Sequence, residues 1–259
     1  MENSKLHHPT LRVLKILETI CNNNQGLTLT DISKHTGIAK GTLHPIVTTL
    51  INEQYLQINN SVMTLGRKCF TLGNEYAHSL NYLNIVRPYM RKIVAHCNEI
   101  CQLGVLDGND VLYVEKIEPD QAIQITSYVG RKLAASATAL GKALLTGLSD
   151  DEIRAMYVAG LTRYTTKTMV DMEGLLLQVA NVRVHGYAHE IGETHIEVEC
   201  LAVPIKMREH ILAAMSVSLP IFRATPEKVQ GIVTLLKCQA HDIEQELNAL
   251  PVNDMVIQY

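Results

Sequence analysis

Two apolar runs at helical spacing meet at a glycine corner within residues 26–66, and two alternating runs follow at once. Ile32 belongs to the first run, Gly37 supplies the corner with Ile38 packing inward, and Leu43, Ile46, Val47 and Leu50 continue at the i, i+3, i+4, i+7 spacing of one helix face. Thr28 or Thr30 is placed to cap the first of these helices, with Asp31 near its positive end. Tyr55-Leu-Gln-Ile58 and Val62-Met-Thr-Leu65 then flank Asn59-Asn60-Ser61, a hairpin turn. Upstream, apolar residues at 11, 13, 14, 16, 17 and 20 predict a helix over 10–20. Pro9 and Thr10 start it; Asn22-Asn-Asn24 and Gly26 stop it. Three short helices followed by a small hairpin leave few alternatives to a winged helix-turn-helix, whose last helix enters the major groove of DNA.

On that reading Thr28, Lys40, Thr42, His44 and Thr48 are the candidate DNA contacts, joined by Arg67 and Lys68 as phosphate contacts after the hairpin. Pro45 is the discordant residue. A helix starting at Lys40 would put it beyond the unpaired first turn, where it removes the bond to Gly41. A later start capped by Thr42, or a local kink, is therefore expected. No arginine lies in this helix, which argues against bidentate reading of guanine.

Residues 67–81 are helix-compatible and read as a connector. Beyond them 83–96 predicts a helix, with Pro88 near its start, and then the period changes. Strands are expected at 100–106 and 111–116 around Asp107-Gly108-Asn109-Asp110, a strong hairpin signal, and at 123–128. A small-residue helix over 134–145 is closed by Gly147, Ser149 caps the next, and 171–184 is helical. A short strand ends near 190, a second hairpin pairs 201–205 with 211–219, and Thr225-Pro226 opens a C-terminal helix running towards 250. Strands grouped around helical blocks give an α+β domain over 82–250, with a tail at 251–259.

Charge divides unevenly. Residues 1–68 carry seven Lys/Arg against four Asp/Glu, while the rest carries sixteen against twenty-two. The asymmetry favours DNA at the front and does not point to an acidic substrate at the back. There is no signal-peptide pattern and no apolar run of membrane-spanning length, and the six cysteines are scattered. These features predict a cytoplasmic protein with no membrane contact, no metal and no cofactor. Enzyme chemistry would have to come from Cys200 with His185, His189 or His195, or from a metal set including Glu193; no compact motif supports either. Cys97 with Cys101, and Cys238 with His241, are weak pairs. A ligand-controlled repressor or activator is favoured over a catalyst.

The chain resembles the IclR family of bacterial transcriptional regulators over nearly its whole length. The resemblance rests on Leu29-Thr-Asp-Ile-Ser-Lys-His-Thr-Gly37, Lys40-Gly-Thr-Leu-His44, Ala137-Thr-Ala-Leu-Gly-Lys-Ala-Leu-Leu145, His185-Gly-Tyr187, Cys200-Leu-Ala-Val-Pro204 and Ala214-Met-Ser-Val-Ser-Leu219. It implies a residue 1–66 winged helix-turn-helix reader joined by a helical connector to a GAF-like effector-binding domain. It also implies a homodimer or dimer of dimers (a homotetramer) on double-stranded operator DNA, often repressing a catabolic operon, with a small organic acid as effector. The family's pocket maps here to Ala137, Gly141, Cys200, Ser216 and Ser218. Ser216 and Ser218 share one side of a strand, where two hydroxyls could hold a carboxylate. Tyr128 and Leu133 are candidate apolar walls. Two departures stand out: Pro45 occupies a position where the family usually carries arginine, and Glu199 precedes Cys200 where many relatives are not acidic. If Glu199 faced the pocket, it would disfavour a second negative charge.

Overall fold

The computed structural model describes residues 6–250 apart from 24, 122–124 and 126, and divides the chain into two compact units meeting at Leu80 and Asn81. In the first unit α1 (His8–Cys21) begins with Pro9 in its first turn, where a missing N–H costs nothing. The second helix, α2 (Leu29–Thr36), is fixed at both ends. Thr28 and Asp31 form a reciprocal capping box, and Gly37 closes the helix in the left-handed region at φ 72°. Next comes α3 (Lys40–Asn52), whose Leu43, Val47 and Leu50 join Ile16, Ile20 and Ile32 in one aliphatic core. The Lys15 ammonium donates to the Thr36 carbonyl at 2.8 Å and ties α1 to the end of α2.

The late start expected for α3 is not what forms. The helix begins at Lys40 after Ala39, and Pro45 lies inside it. The lost bond to Gly41 falls on an exposed face, where solvent can take the place of the missing donor, and the buried stripe holds the helix in place. Pro88 repeats the pattern inside α5 (Tyr82–Cys97), well beyond the helix start where it was expected. The wing follows expectation within one residue: β1 (Leu56–Asn59) pairs with β2 (Val62–Leu65). Asn60 and Ser61 both have positive φ, at 48° and 67°, as a tight two-residue hairpin turn requires. After the wing, α4 (Arg67–Ser79) has no buried residue among those described.

The second unit is built on a six-stranded antiparallel sheet. Its elements are β3 (Ile100–Asp107), β4 (Asp110–Ile117), β5 (Lys132–Ala134), β6 (Ala188–Ile191), β7 (Val198–Met207) and β8 (His210–Pro220), in spatial order β5-β4-β3-β8-β7-β6. The expected helix over 134–145 is interrupted: Ala135–Ala137 form a 3-10 turn, Thr138 is extended, and α6 (Ala139–Leu145) starts after it. Thr138 is the reason, because its hydroxyl accepts from the Gly141 amide at 2.9 Å and caps the helix. Of the strand expected at 123–128, residues 123, 124 and 126 lie outside the described residues, and Ile125, Ser127 and Tyr128 are not in a strand.

Ser149 caps α7 (Asp150–Met156) through a reciprocal box with Glu152, and α8 (Met172–His185) runs from Asp171 to Gly186. The last helix is α9 (Pro226–Ala249), capped by Thr225. One sheet face packs on α5 and α9, the other on α6. Beneath α6 the core combines Leu140, Leu144 and Leu145 with Leu175, Val179 and Val182 of α8 and with Ala202 and Ala214 of the sheet. No helix among the described residues is long and apolar enough to cross a membrane.

Candidate functional site

Burying Leu43, Val47 and Leu50 leaves the opposite face of α3 to solvent, so Lys40, Gly41, His44, Pro45, Thr48 and Thr49 are all exposed. Thr42 is half-buried. Thr48 donates to the His44 carbonyl at 2.8 Å and Thr49 to the Pro45 carbonyl at 2.9 Å, so both hydroxyl protons are used within the helix. Thr28 is committed to its capping box with Asp31. Hydrogen bonding to Thr28 holds the Asp31 carboxyl below its ordinary value. Arg67 and Lys68 are exposed but have intramolecular partners: Arg67 donates to the Gln54 side chain at 2.8 Å, and Lys68 lies 3.7 Å from Glu53 and over the Tyr55 ring.

The second unit holds a buried polar array on the α6 side of its sheet. Register brings Glu190, Cys200 and Ser218 side by side across β6, β7 and β8, and puts Ala202, Ser216, Gln102 and Lys116 in the next row. The hydrogen bonds run along this surface. Cys200 Sγ lies 3.1 Å from Ser218 Oγ, Ser218 Oγ donates to Gln102 Oε1 at 3.0 Å, and Gln102 Nε2 donates to Ser127 Oγ at 2.8 Å. Lys116 Nζ donates to the Ser127 carbonyl at 2.7 Å. Small side chains, Ala188, Ala202, Ala214 and Gly104, occupy the sheet surface around it.

At the β6 end lie three charged groups. Lys142 of α6 is 1 % exposed and is paired with Glu193, whose other oxygen accepts from the Met169 amide at 3.0 Å. Glu190 takes the Glu193 and Thr194 amides on Oε1, while its buried Oε2 has no hydrogen-bond partner among the described residues. Burial pushes the Glu190 carboxyl up to about 7, with the Glu193 charge adding to it and the Glu193 amide and Lys142 opposing it. Burial likewise raises the Cys200 thiol well above its ordinary value, and Glu190 reinforces the effect. An inert thiol and a proton-holding carboxyl thus sit side by side.

The residues anticipated for this site are not equally placed. Cys200, Ser216 and Ser218 share the buried face in adjoining rows. Ala137 is fully buried in the 3-10 turn before α6, and Leu133 packs partly buried against the core beneath that helix. Gly141 meets the backbone of that turn: a Cβ there would lie 2.0 Å from the Ala135 carbonyl oxygen, and its amide is taken by Thr138. Tyr128 is exposed on the segment between β4 and β5. Glu199 points to the other side of β7 from Cys200 and lies 2.7 Å from His189 Nε2, and its charge adds a smaller push to the raised Cys200 thiol. His195 is engaged locally with the Glu197 amide, and among the described residues no group of three or more His, Cys, Asp or Glu is disposed to hold a metal. Sequence reading missed Glu190, Gln102 and Lys142. The only signal for Glu190 was its even spacing with Ala188 on a short strand.

Comparison with known proteins places both units. The model of the IclR helix-turn-helix domain matches residues 10–59, and that of the bacterial transcriptional regulator IclR C-terminal domain matches 74–245. The HTH-type transcriptional regulator XynR of Escherichia coli K12 is 33% identical over 211 residues, 80% of this chain and 84% of that protein. The acetate operon repressor of Salmonella typhimurium is 30% identical over 90% of this chain and 87% of its own length. Among solved structures, an IclR homolog from Microbacterium hydrocarbonoxydans complexed with 4-hydroxybenzoate superposes with a TM-score of 0.79 at 25% identity, covering 92% of this chain and 98% of that one. With its winged reader and its α+β second unit both matched, the chain belongs to the IclR family of bacterial transcriptional regulators.

Proposed function

We propose that this chain is a ligand-responsive, sequence-specific repressor of a catabolic operon, acting as a homodimer or dimer of dimers, and that a small organic acid held under α6 sets its DNA affinity. The observation that carries the proposal is the buried polar chain Glu190–Cys200–Ser218–Gln102 running across two rows of the α6-facing sheet surface, with one Glu190 oxygen buried and given no partner but the adjoining thiol among the described residues. Leaving such an oxygen without a partner costs about 1–3 kcal/mol, which a bound ligand would offset. With the proton on Oε2, a ligand oxygen that accepts it, such as that of a carboxylate, would satisfy the group. Among the relatives one is an acetate operon repressor and one is complexed with 4-hydroxybenzoate, which supports an acid effector and repression here. Cys200, Ser216, Ser218, Ala137, Gln102 and Glu190 form the proposed pocket lining, with Leu133 and Tyr128 towards its edge. Gly141 serves it indirectly by letting α6 close on the preceding turn.

In the first unit Lys40, Thr42, His44 and Thr48 form the base-facing surface, and Arg67 and Lys68 would exchange their weak surface partners for phosphate. Dimerisation doubles the reader and follows from how such modules gain specificity. Ligand then shifts a population between DNA-competent and incompetent forms. The test is an operator mobility-shift titration against keto, hydroxy and aromatic acids. Repression by ligand control predicts that at least one acid changes operator affinity; a wholly insensitive complex would remove the ligand from the account.

A further inference from the structure

We propose that α3 recognises A·T pairs through the thymine 5-methyl group, with Pro45 and Thr48 as the residues that make the contact. This rests on the reading of α3 as the major-groove helix. The outward face of α3 carries Lys40, Gly41, His44, Pro45, Thr48 and Thr49, all exposed. Each base edge in the major groove needs a matching chemistry. Guanine offers two acceptors, N7 and O6, most specifically met by the donors of one Arg or Lys side chain; thymine offers a methyl group beside one acceptor.

Donors are what this face lacks. Residues 40–52 contain no arginine and no glutamine, and Asn52 lies at the far end. The Thr48 and Thr49 protons are spent on the carbonyls of His44 and Pro45, so each threonine turns out only a methyl and acceptor lone pairs. Pro45 has no N–H at all, and its ring methylenes form an apolar patch on the turn before Thr48. Lys40, Thr42 and His44 are the remaining donors and all lie at the start of α3, whereas from Pro45 to Thr49 no outward side chain offers a free N–H or O–H. The centre of the face is therefore apolar and acceptor-rich. It suits the methyl group and, on the paired adenine, the N6 donor; it opposes the acceptor edge of guanine. Each thymine methyl buried against it should change affinity about fourfold.

The experiment uses the full-length protein and a randomised 40-base-pair duplex library. Sequences retained by the protein are resynthesised with deoxyuridine for thymidine, one half-site position at a time, which deletes only the methyl group. The expected result is enrichment of A·T pairs in each half-site and two to three positions where deoxyuridine weakens binding about fourfold. Thr48→Ser, which keeps the internal hydrogen bond and loses the methyl, should abolish the thymine–uracil difference at one of those positions, and Pro45→Ala should reduce it at its neighbour. Enriched guanines under α3, or deoxyuridine without effect at every position, would overturn the proposal while leaving DNA reading intact. Failure to enrich any sequence would instead overturn the reader itself, and the proposal with it.

Discussion

Replacing Glu190 by glutamine should make the protein more stable at pH 8 and leave it nearly unchanged at pH 5. Glu190→Gln keeps the Oε1 acceptor for the Glu193 and Thr194 amides and removes only the ionisable oxygen, Oε2, which has no described partner. Burial raises the native carboxyl to about 7 from an ordinary 4.5. The native state then holds a proton that the unfolded chain has released, so this group's contribution to stability is intact below the unfolded value and is lost as pH rises towards the folded one. A displacement of that size corresponds to about 3 kcal/mol of stability missing above pH 7. The variant lacks this penalty. Urea denaturation of both proteins at pH 5 and pH 8, followed by far-ultraviolet circular dichroism, gives the comparison. The gap between variant and parent should reach about 3 kcal/mol at pH 8 and shrink below about 1 kcal/mol at pH 5. Of the charged groups facing Glu190, Glu193 pushes its carboxyl up and Lys142 pulls it down. A gap equal at both pH values, or a variant less stable at pH 8, would refute the argument.

Other perturbations test neighbouring links. Gly141→Ala drives a Cβ into the Ala135 backbone, so it should cost about 3 kcal/mol, at the top of the range for overpacking, and lower the urea midpoint without changing the slope. Lys142→Met leaves the buried Glu193 carboxylate without its cation and should cost about 3–5 kcal/mol; adding Glu193→Gln should return a good part of that loss in the same measurement. Thr28→Ala removes the capping box of α2 and should cost about 1 kcal/mol, seen as reduced amide hydrogen-exchange protection in α2 with no change in β7 and β8.

Local signals carried most of the first unit. The cap expected at Thr28 or Thr30 formed at Thr28, the Gly37 corner formed as its chemistry requires, and the turn expected over Asn59-Asn60-Ser61 tightened to Asn60-Ser61, with Asn59 paired in β1. Pro45 and Pro88 misled because propensity weighs the lost hydrogen bond alone, while the buried stripes of α3 and α5 outweigh it. Thr138 misled in the other direction: every residue from Ala134 to Leu145 tolerates a helix, and only the cap geometry reveals the break. Of the candidate site, the sequence pointed to Cys200, Ser216 and Ser218, which the sheet register brings to one buried face. The site's charged half was not legible. Lys142 would be placed on the surface by its type, and its partner Glu193 is 51 residues away. Gln102 and Ser218 are separated by 116 residues and meet only because β3 lies beside β8.

The central claim is that the buried polar face under α6 governs the DNA-reading output. The most direct measurement is the operator dissociation constant of the full-length protein at fixed salt, with and without the acid that shifts it most, in the parent and in Ser218→Ala and Glu190→Gln. The account predicts a shift of tenfold or more in the parent, corresponding to about 1.4 kcal/mol of coupling, and a shift reduced severalfold in both variants. An undiminished shift in both variants would place the ligand elsewhere and contradict the account.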